Sequence, residues 1–206
     1  MKMRIVIVAV LGLLVTANVF AQENISFGIR AGVNFQNLTG KYYTGNKYSD
    51  KLIAGINAGA NVEIPVATDF YLQPGLLFST KGAKAKGTDS KINISYIELP
   101  VNFLYKSALG DGKLIIGFGP YAALAVAGKY KVGSTKTNIQ FGNDLGDIKR
   151  FDAGANFLAG YEFSSKLSFQ LNTGLGLLNL ANREEGDSKS SLKNVGFGIS
   201  AGYRFN

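Results

Sequence analysis

Apolar and polar residues alternate along most of the chain after residue 21. In residues 25–38 the odd-numbered positions are nearly all apolar, and the even-numbered positions are mostly polar residues or glycine. Residues 52–65 and 191–205 repeat this pattern. Alternation with a period of two over more than ten residues indicates β-strands and not helices. The chain is therefore predicted to be all-β.

Each predicted strand is about 12 to 16 residues long, whereas strands of soluble proteins usually have about five or six. About 9–11 tilted residues are enough for a strand to cross a bilayer. The fourth segment is less regular, because Ile92 and Ile94 are out of phase with its later apolar residues. This predicts a bulge near Ser95 or Tyr96. The eight segments are 25–38, 52–65, 70–81, 91–106, 113–128, 149–164, 166–181 and 191–205.

The connections between these segments alternate in length. Short turns at one end and long loops at the other are typical of outer-membrane barrels, in which an even strand number leaves both termini at the periplasmic end. The pattern predicts an eight-stranded antiparallel up-and-down transmembrane β-barrel. The short connections are 66–69, 107–112 and 164–166, and the long ones are 39–51, 82–90, 129–148 and 182–190.

Aromatic residues on the apolar face gather near the predicted short turns. Barrels in outer membranes carry aromatic girdles where the bilayer meets water. We therefore expect an outward-facing ring at the periplasmic interface. If these rings lay in the lumen instead, the chain would be a soluble calyx barrel. The predicted girdle comprises Phe70, Phe103, Tyr105, Tyr161, Phe163, Phe169, Tyr203 and Phe205.

Charged residues within the strands fall on the face that carries glycine and polar residues. A charge on the lipid face near the midplane costs ~2–4 kcal/mol, so this face is predicted to line the lumen. The charges could form a proton or ion path, or a plug of paired charges. An eight-stranded lumen is only just wide enough for side chains, which favours the plug. The predicted network comprises Arg30, Glu63, Lys81, Glu98, Asp152, Glu162 and Arg204, with Tyr96 and Tyr121 filling the space beside them.

The predicted strand ends divide these charges into three layers that each hold both signs. The layers are Glu63, Glu162 and Arg204 near the periplasmic strand ends, Arg30 and Glu98 in the middle, and Lys81 and Asp152 nearer the outer rim. Pairing would offset the cost of burying them. A guanidinium can hold two carboxylates at once. We therefore expect Arg30 to contact Glu98 or Glu63, and Arg204 to approach Glu162 or Glu63.

The first 21 residues have the three parts of a secretory signal peptide. Lys2 and Arg4 precede an uncharged apolar stretch at 5–15, and small residues occupy positions 19 and 21. An apolar core of about 11 residues is too short for a membrane anchor, which needs about 20. We expect cleavage after residue 21, which leaves a single barrel domain over 22–206. A lipoprotein is excluded because the chain has no cysteine.

Composition narrows the chemistry of the mature chain. The chain contains no histidine and no cysteine, which removes the commonest general base and every thiolate ligand. Its 26 glycines fall mostly on the predicted inner face of the barrel. The net charge of +8 becomes +6 once Lys2 and Arg4 are removed. Solvated loop lysines explain this excess more simply than lipopolysaccharide binding, and nucleic-acid binding is not expected of an exported protein.

Some motifs suggest nucleotide binding, calcium binding or catalysis, but each lacks the structural context or the residues that its chemistry needs. Residues 196–201 match a dinucleotide fingerprint, but no helix can follow, because the chain ends five residues later. Asp144 with Asp147, and the acidic residues within 184–187, lack the ligand spacing of a calcium loop. Without histidine a Ser/His/Asp triad is excluded. We expect no catalytic residue, metal or cofactor.

Short motifs across the chain resemble the PorT-like family of outer-membrane β-barrels. The resemblance implies an eight-stranded barrel in a family whose namesake supports protein secretion across the outer membrane. Asn206 is a departure, because many such barrels end on the aromatic residue that the insertion machinery recognises. The motifs are GIRAGVNF at 28–35, YIELP at 96–100, GFGPY at 117–121, GYE at 160–162, GLGLLNL at 174–180 and GYRF at 202–205.

The sequence thus predicts a non-enzymatic protein of the bacterial outer membrane, exported through a cleaved signal peptide. We expect a scaffold, adhesion or secretion-accessory role through the extracellular loops. The alternative is a narrow channel, or a carrier for a small or hydrophobic solute. The expected partners are outer-membrane lipid, lipopolysaccharide, the barrel-assembly machinery acting on the last strand, and an unidentified secretion-system or surface partner.

Overall fold

The computed structural model describes residues 25–42, 44–48, 50–182, 187 and 189–205. The predicted signal peptide, residues 183–186 and Asn206 lie outside the described residues. Long strands make up most of the described chain. The strands are β1 (Ser26–Lys41), β2 (Asp50–Lys51), β3 (Ile53–Ala67), β4 (Phe70–Ala85), β5 (Ser90–Leu109), β6 (Gly112–Val132), β7 (Thr135–Asn138), β8 (Phe151–Glu162), β9 (Leu167–Gly176) and β10 (Ser191–Phe205).

Eight long strands close into a ring. Following the ring, β1 pairs with β3, then β4, β5, β6, β8, β9 and β10 follow, and β10 pairs back with β1. Every pairing is antiparallel. The predicted eight-stranded antiparallel up-and-down barrel is therefore confirmed. Closure pairs the backbone of every long strand on both sides, which a hydrocarbon environment requires.

The strand registers place the connections at two opposite ends. At one end Phe27 faces Phe205, and the turns at 68–69 and 110–111 lie at this end. At the other end Lys41 faces Ser191. The loop between β1 and β2 therefore lies opposite the turn that contains Asp111, as the alternating connection lengths predicted. We name these the periplasmic and the outer end, after the orientation that the sequence predicts.

The hairpins at the outer end differ from the prediction. The long loop expected at 82–90 is a turn over 86–89, because β4 and β5 continue pairing as far as Lys84 and Lys91. The two short strands lie here: β2 pairs with β4, and β7 pairs with β6. The polar residues of these extensions continue the sheet above the ring. Hydrogen bonding, and not hydrophobicity, decides where these strands end.

The seventh segment was predicted over 166–181, but β9 ends at Gly176. Beyond it the Asn179 side chain takes the place of a sheet partner. Its Oδ1 accepts hydrogen bonds from the backbone amides of Leu192 at 2.7 Å and Ala181 at 3.2 Å. Residues 177–181 keep single backbone hydrogen bonds to Ala153, Leu192 and Lys149 in place of a regular ladder.

The predicted irregularity near Ser95 and Tyr96 is confirmed as a shift of register between these two residues. The extra residue is Val126 on the partner strand β6, since Ser95 faces Ala127 and Tyr96 faces Ala125. The phase of β5 itself is not broken. Ile92 and Ile94 lie on the same face as Tyr96 and pack with it. The predicted position of the bulge is therefore right, but the reason given for it, a change of phase at Ile92 and Ile94, is wrong.

The two faces of the wall have opposite character. Outward positions such as Ile29, Leu99 and Phe118 are exposed large apolar side chains, whereas most buried residues inside are polar or charged. Two small apolar clusters lie within the lumen. One surrounds Tyr96 near the outer end, and the other surrounds Leu104 near the periplasmic end. Within the described residues, no helix is long and apolar enough to span a membrane.

Candidate functional site

Four charged side chains form a closed cluster in the periplasmic half of the lumen. Lys106 Nζ lies 2.7 Å from Glu63 Oε2 and 2.8 Å from Glu162 Oε2. Arg204 Nε donates to Glu162 Oε2 at 3.0 Å, and its Nη2 donates to Glu63. Each cation therefore contacts both carboxylates, and the four residues come from β5, β3, β8 and β10. We call this the lower cluster.

Polar and apolar neighbours complete the lower cluster. Gln73 Nε2 donates to Glu63 Oε1 at 3.0 Å, and Asn102 Nδ2 donates to Gln73 Oε1 at 3.4 Å. The Lys106 ammonium lies 5.4 Å from the centre of the Tyr71 ring. Leu104 and its apolar neighbours lie beside these groups. Extra hydrogen bonds are what a buried ion pair needs to offset its desolvation.

Lys106 was not among the predicted lumen charges. Its side chain is only 2% exposed and belongs to the same face of β5 as Glu98. The parity that selected Glu98 would also have selected Lys106. Lys106 is the last position of the predicted strand, where a lysine resembles part of the following turn.

A second cluster lies nearer the outer end and is built around Lys81. Its Nζ lies 2.7 Å from Glu98 Oε1 and 3.6 Å from Asp152 Oδ2. Tyr121 donates its hydroxyl to Asp152 Oδ2 at 3.1 Å, and Asn194 Nδ2 donates to the same oxygen at 2.9 Å. This upper cluster holds one cation and two carboxylates, so it carries a net negative charge.

The two tyrosines predicted to fill the lumen belong to the upper cluster. The Lys81 ammonium lies 4.3 Å from the centre of the Tyr121 ring and 5.3 Å from that of Tyr96. Asn194 Nδ2 also reaches the Tyr96 hydroxyl at 3.3 Å. Both rings are buried, at 3% and 0% exposure. They supply cation–π contacts to Lys81 as well as bulk.

Arg30 does not form the ion pair expected of it. Its Nη1 donates to Asn172 Oδ1 at 3.4 Å, and within the described residues no carboxylate lies within 4.0 Å of its guanidinium. The expected partners are already engaged, because Glu98 contacts Lys81 and Glu63 belongs to the lower cluster. The buried Arg30 Nε has no hydrogen-bond partner. Arg30 borders a cavity of about 60 Å³ that Glu98 also lines.

Amides and hydroxyls occupy the middle layer around Arg30. Asn34 Nδ2 donates to Ser79 Oγ at 3.1 Å. Asn172 Nδ2 donates to Ser200 Oγ at 3.0 Å, and Ser200 Oγ donates to Asn57 Oδ1 at 3.2 Å. The prediction placed Glu98 beside Arg30 in this layer, whereas the structure surrounds Arg30 with neutral polar groups and pairs Glu98 with Lys81.

Among the described residues, the charges of the lumen balance as a set. Each carboxylate there has a cationic counterpart, since Arg30 offsets the negative charge of the upper cluster. The cations are Arg30, Lys81, Lys106 and Arg204, and the carboxylates are Glu63, Glu98, Asp152 and Glu162. Within the described residues, no group of three or more His, Cys, Asp or Glu is placed to hold a metal ion.

The connection between β7 and β8 covers the outer end of the lumen. Ile139, Phe141 and Ile148 pack against the buried cluster that contains Tyr96. Asn182 Nδ2 holds this connection by donating to the backbone oxygens of residues 142, 144 and 147 at 3.1, 2.9 and 3.2 Å. We call residues 139–150 the cap. It separates the upper cluster from the external solution.

The predicted girdle residues lie on the outer surface near the periplasmic end, half-buried or exposed. Phe70 packs on Phe103 and Tyr105, with ring centres 5.5 and 5.1 Å apart. The Tyr161 hydroxyl donates to the backbone oxygen of Leu109 at 2.7 Å. The other ring contacts join Tyr161 with Phe163, Phe163 with Phe169, and Tyr203 with Phe205.

A sequence model of the outer membrane protein beta-barrel domain matches residues 20–182. The match covers more than half of the chain. The chain belongs to this family of outer-membrane β-barrels. The lumen described above is thus that of a barrel in the bacterial outer membrane. No significant sequence match was found among curated proteins.

Solved structures similar to this outer-membrane barrel are distant in sequence. Neisserial surface protein A aligns with a TM-score of 0.49 and 13% identity, over 88% of this chain and 98% of that one. Ail, the attachment invasion locus protein of Yersinia pestis, was solved in complex with the heparin analogue sucrose octasulfate. It aligns with a TM-score of 0.46 and 13% identity, over 89% of this chain and 100% of that one. At such identities the similarity concerns the fold alone.

Proposed function

We propose that this barrel is closed to ions and serves as a non-enzymatic scaffold at the cell surface. The main support for this proposal is the filled lumen, in which two ion-pair clusters and the cap lie one above another. A cavity of about 60 Å³ remains between them. Cavities that bind a benzene-sized molecule measure about 150 Å³, so this space has room for a few waters and not for such a solute. The outer end is then the part that can meet a partner.

The proposed role is adhesion or assistance to protein secretion, carried by the cap and the other outer connections. The resemblance to the PorT-like family supports the secretion role. Cleavage of the signal peptide after residue 21, and recognition of β10 by the assembly machinery, are further parts of this proposal. The cap offers a fixed surface because Asn182 ties its backbone at three points.

Planar-bilayer recording of the purified mature protein tests the closed lumen. We expect no steady unit conductance, because every described lumen charge except Arg30 forms an ion pair, and Arg30 is hydrogen-bonded to Asn172. Protection of the barrel from protease in the same preparation serves as the control for insertion. A reproducible unit conductance would contradict the proposal and favour the alternative, a narrow channel.

The surface role is tested by replacing residues 143–146 at the exposed tip of the cap with glycine and serine. We expect loss of adherence or of secreted protein in the native host, with the barrel still folded. A matched replacement in the periplasmic turn at 110–111 should leave both unchanged. Equal behaviour of the two variants would remove the cap from the proposal.

A further inference from the structure

Lysines from five neighbouring strands stand in one row across the sheet extension at the outer end. Each lysine is the direct antiparallel partner of the next. Directly opposed residues project from the same face of a sheet, and neighbouring strands lie about 4.8 Å apart. The row therefore places its ammonium groups side by side over about 20 Å. It comprises Lys51 on β2, Lys84 on β4, Lys91 on β5, Lys131 on β6 and Lys136 on β7.

The lysine row lies on the outer face of the wall. Ile92 and Ile94 point to the opposite face, where they pack with Tyr96 inside the barrel. Lys91 alternates with these isoleucines and so points outward, on the same face as the exposed apolar Ile97 and Leu99. The row is thus continuous with the lipid-facing surface of β4, β5 and β6.

The height of the row places it in the headgroup region of the outer leaflet. An apolar band about 25 Å tall takes about ten residues of a tilted strand. Ten residues along β5 from the girdle residue Tyr105 reach Ser95. Lys91 lies four residues further, which is about 10 Å above the band at the usual strand tilt.

The protein itself supplies little negative charge to the row. Lys84 Nζ pairs with Asp89 Oδ1 at 3.0 Å, and within the described residues no other carboxylate forms an ion pair with a lysine of the row. The hydrogen bond and charge of Lys84, with Lys131 further away, hold the pKa of Asp89 below its usual value. Like charges placed directly opposite on neighbouring strands destabilise a sheet.

Protection of sheet edges explains only part of the row. Lysine on an edge strand blocks pairing with other chains. This accounts for Lys51 and Lys136, because β2 and β7 are the edges of the extension. It does not account for Lys84, Lys91 and Lys131, which lie on strands paired on both sides. The juxtaposition of like charges at these three inner lysines therefore requires another explanation.

We propose that the lysine row binds the phosphate groups of lipopolysaccharide in the surrounding outer leaflet. Basic side chains near a membrane surface are attracted to anionic headgroups, and lysine binds phosphate as a point charge. The row faces sideways, so the anions that it meets first belong to neighbouring lipids and not to a ligand arriving from solution. The inference depends on the outer-membrane location and is independent of whether the lumen conducts.

Binding of purified lipid A to the detergent-solubilised barrel, measured by native mass spectrometry, tests the proposal. The row variant carries Lys84→Gln, Lys91→Gln and Lys131→Gln. The control variant removes the same charge from outer connections through Lys47→Gln, Lys149→Gln and Lys189→Gln. We expect the row variant to bind phosphorylated lipid A about tenfold more weakly or worse, and the control variant to bind as the native protein does.

Dephosphorylated lipid A should bind the native barrel as weakly as phosphorylated lipid A binds the row variant. Equal binding by the native protein and the row variant would overturn the proposal, as would equal binding of both lipids to the native protein. Row-dependent binding of soluble dextran sulfate without binding of lipid A would assign the row to a polysaccharide and also overturn it. Heat-dependent gel mobility verifies folding. If the triple variant does not fold, Lys91→Gln and Lys131→Gln are measured singly against the same criteria.

Discussion

Lys106 holds two carboxylates at once in a part of the lumen from which water is nearly excluded. Arg204 contacts the same two groups, so the loss of one cation leaves Glu63 and Glu162 with a single cationic partner. Removing one partner of a buried pair is far more costly than removing the pair, because a charge remains without compensation. The lower cluster is therefore a unit whose members are not independent.

We expect Lys106→Met to destabilise the folded barrel by about 3 kcal/mol, the usual cost of breaking a buried ion pair. Lys113→Met is the matched control, since Lys113 is exposed at the same end, and it should change stability by less than about 0.5 kcal/mol. Urea unfolding in lipid vesicles, followed by circular dichroism, measures both, because the chain has no tryptophan. Equal effects of the two substitutions would show that the lower cluster adds nothing to stability.

Parity along a strand was enough to predict which charges face the lumen, but not which charges meet. Glu98 and Arg30 were assigned to one layer, yet the structure joins Glu98 to Lys81 and leaves Arg30 beside amides. Which residues face one another across the lumen depends on the stagger of the closed sheet, and a single sequence contains no direct measure of that stagger. The face was predictable, and the partner was not.

The β5–β6 hairpin is the longest pairing of the barrel, with strands that extend from the periplasmic turn to the lysine row. Gly119 lies on the lumen side of this hairpin. A methyl group at Gly119 would overlap the backbone oxygen of Val101, whereas one at Gly174 on β9 would come no closer than 3.5 Å to Asn156 Oδ1. Two glycines of the same wall thus differ in whether the fold requires them.

Gly119→Ala should destabilise the barrel by about 1–3 kcal/mol, because the added methyl group forces the two backbones apart. Gly174→Ala should be close to neutral. Unfolding midpoints of the two variants, measured side by side with the native protein, separate the effect of steric overlap from the general effect of alanine in a strand. A Gly119→Ala variant as stable as Gly174→Ala would contradict the close approach of the two strands at Val101.

At the same scale, alternation predicted the eight long strands but misplaced several of their ends. Within the bilayer the sequence must alternate, because one face meets lipid and the other meets the lumen. Above it both faces can be polar, so the continuation of β4 to Ala85 has no equally strong pattern. Beyond Gly176, side-chain hydrogen bonds of Asn179 replace part of the regular backbone pairing, and hydrophobicity does not record such bonds.

The whole molecule separates its charge by location. The charges of the lumen sum to zero, whereas many lysines lie at the outer end. The positive net charge of the mature chain is therefore concentrated at the outer end. This asymmetry follows from the topology, which places the turns at 68–69 and 110–111 together at the opposite end. Composition alone, without the fold, explained the positive net charge by solvated loop lysines.

The topology is testable on intact cells because the chain has no cysteine. Thr137→Cys places a thiol on the exposed β7, and Asp111→Cys places one in an exposed periplasmic turn. A membrane-impermeant maleimide should label the first variant in intact cells and the second only after the outer membrane is permeabilised. The reverse order of labelling would invert the assignment of the two ends.

Val126, the extra residue in β6, determines which side of the wall the last part of that strand presents. Below it, odd-numbered residues such as Tyr121 and Ala125 face inward, and beyond it the odd-numbered Lys129 and Lys131 face outward. Odd-numbered residues therefore face the lumen before Val126 and the outside after it. If Val126 instead paired regularly with Ser95, the alternation would continue through it and turn Lys129 and Lys131 toward the capped interior, whereas deleting Val126 would leave a regular strand with both lysines still facing outward.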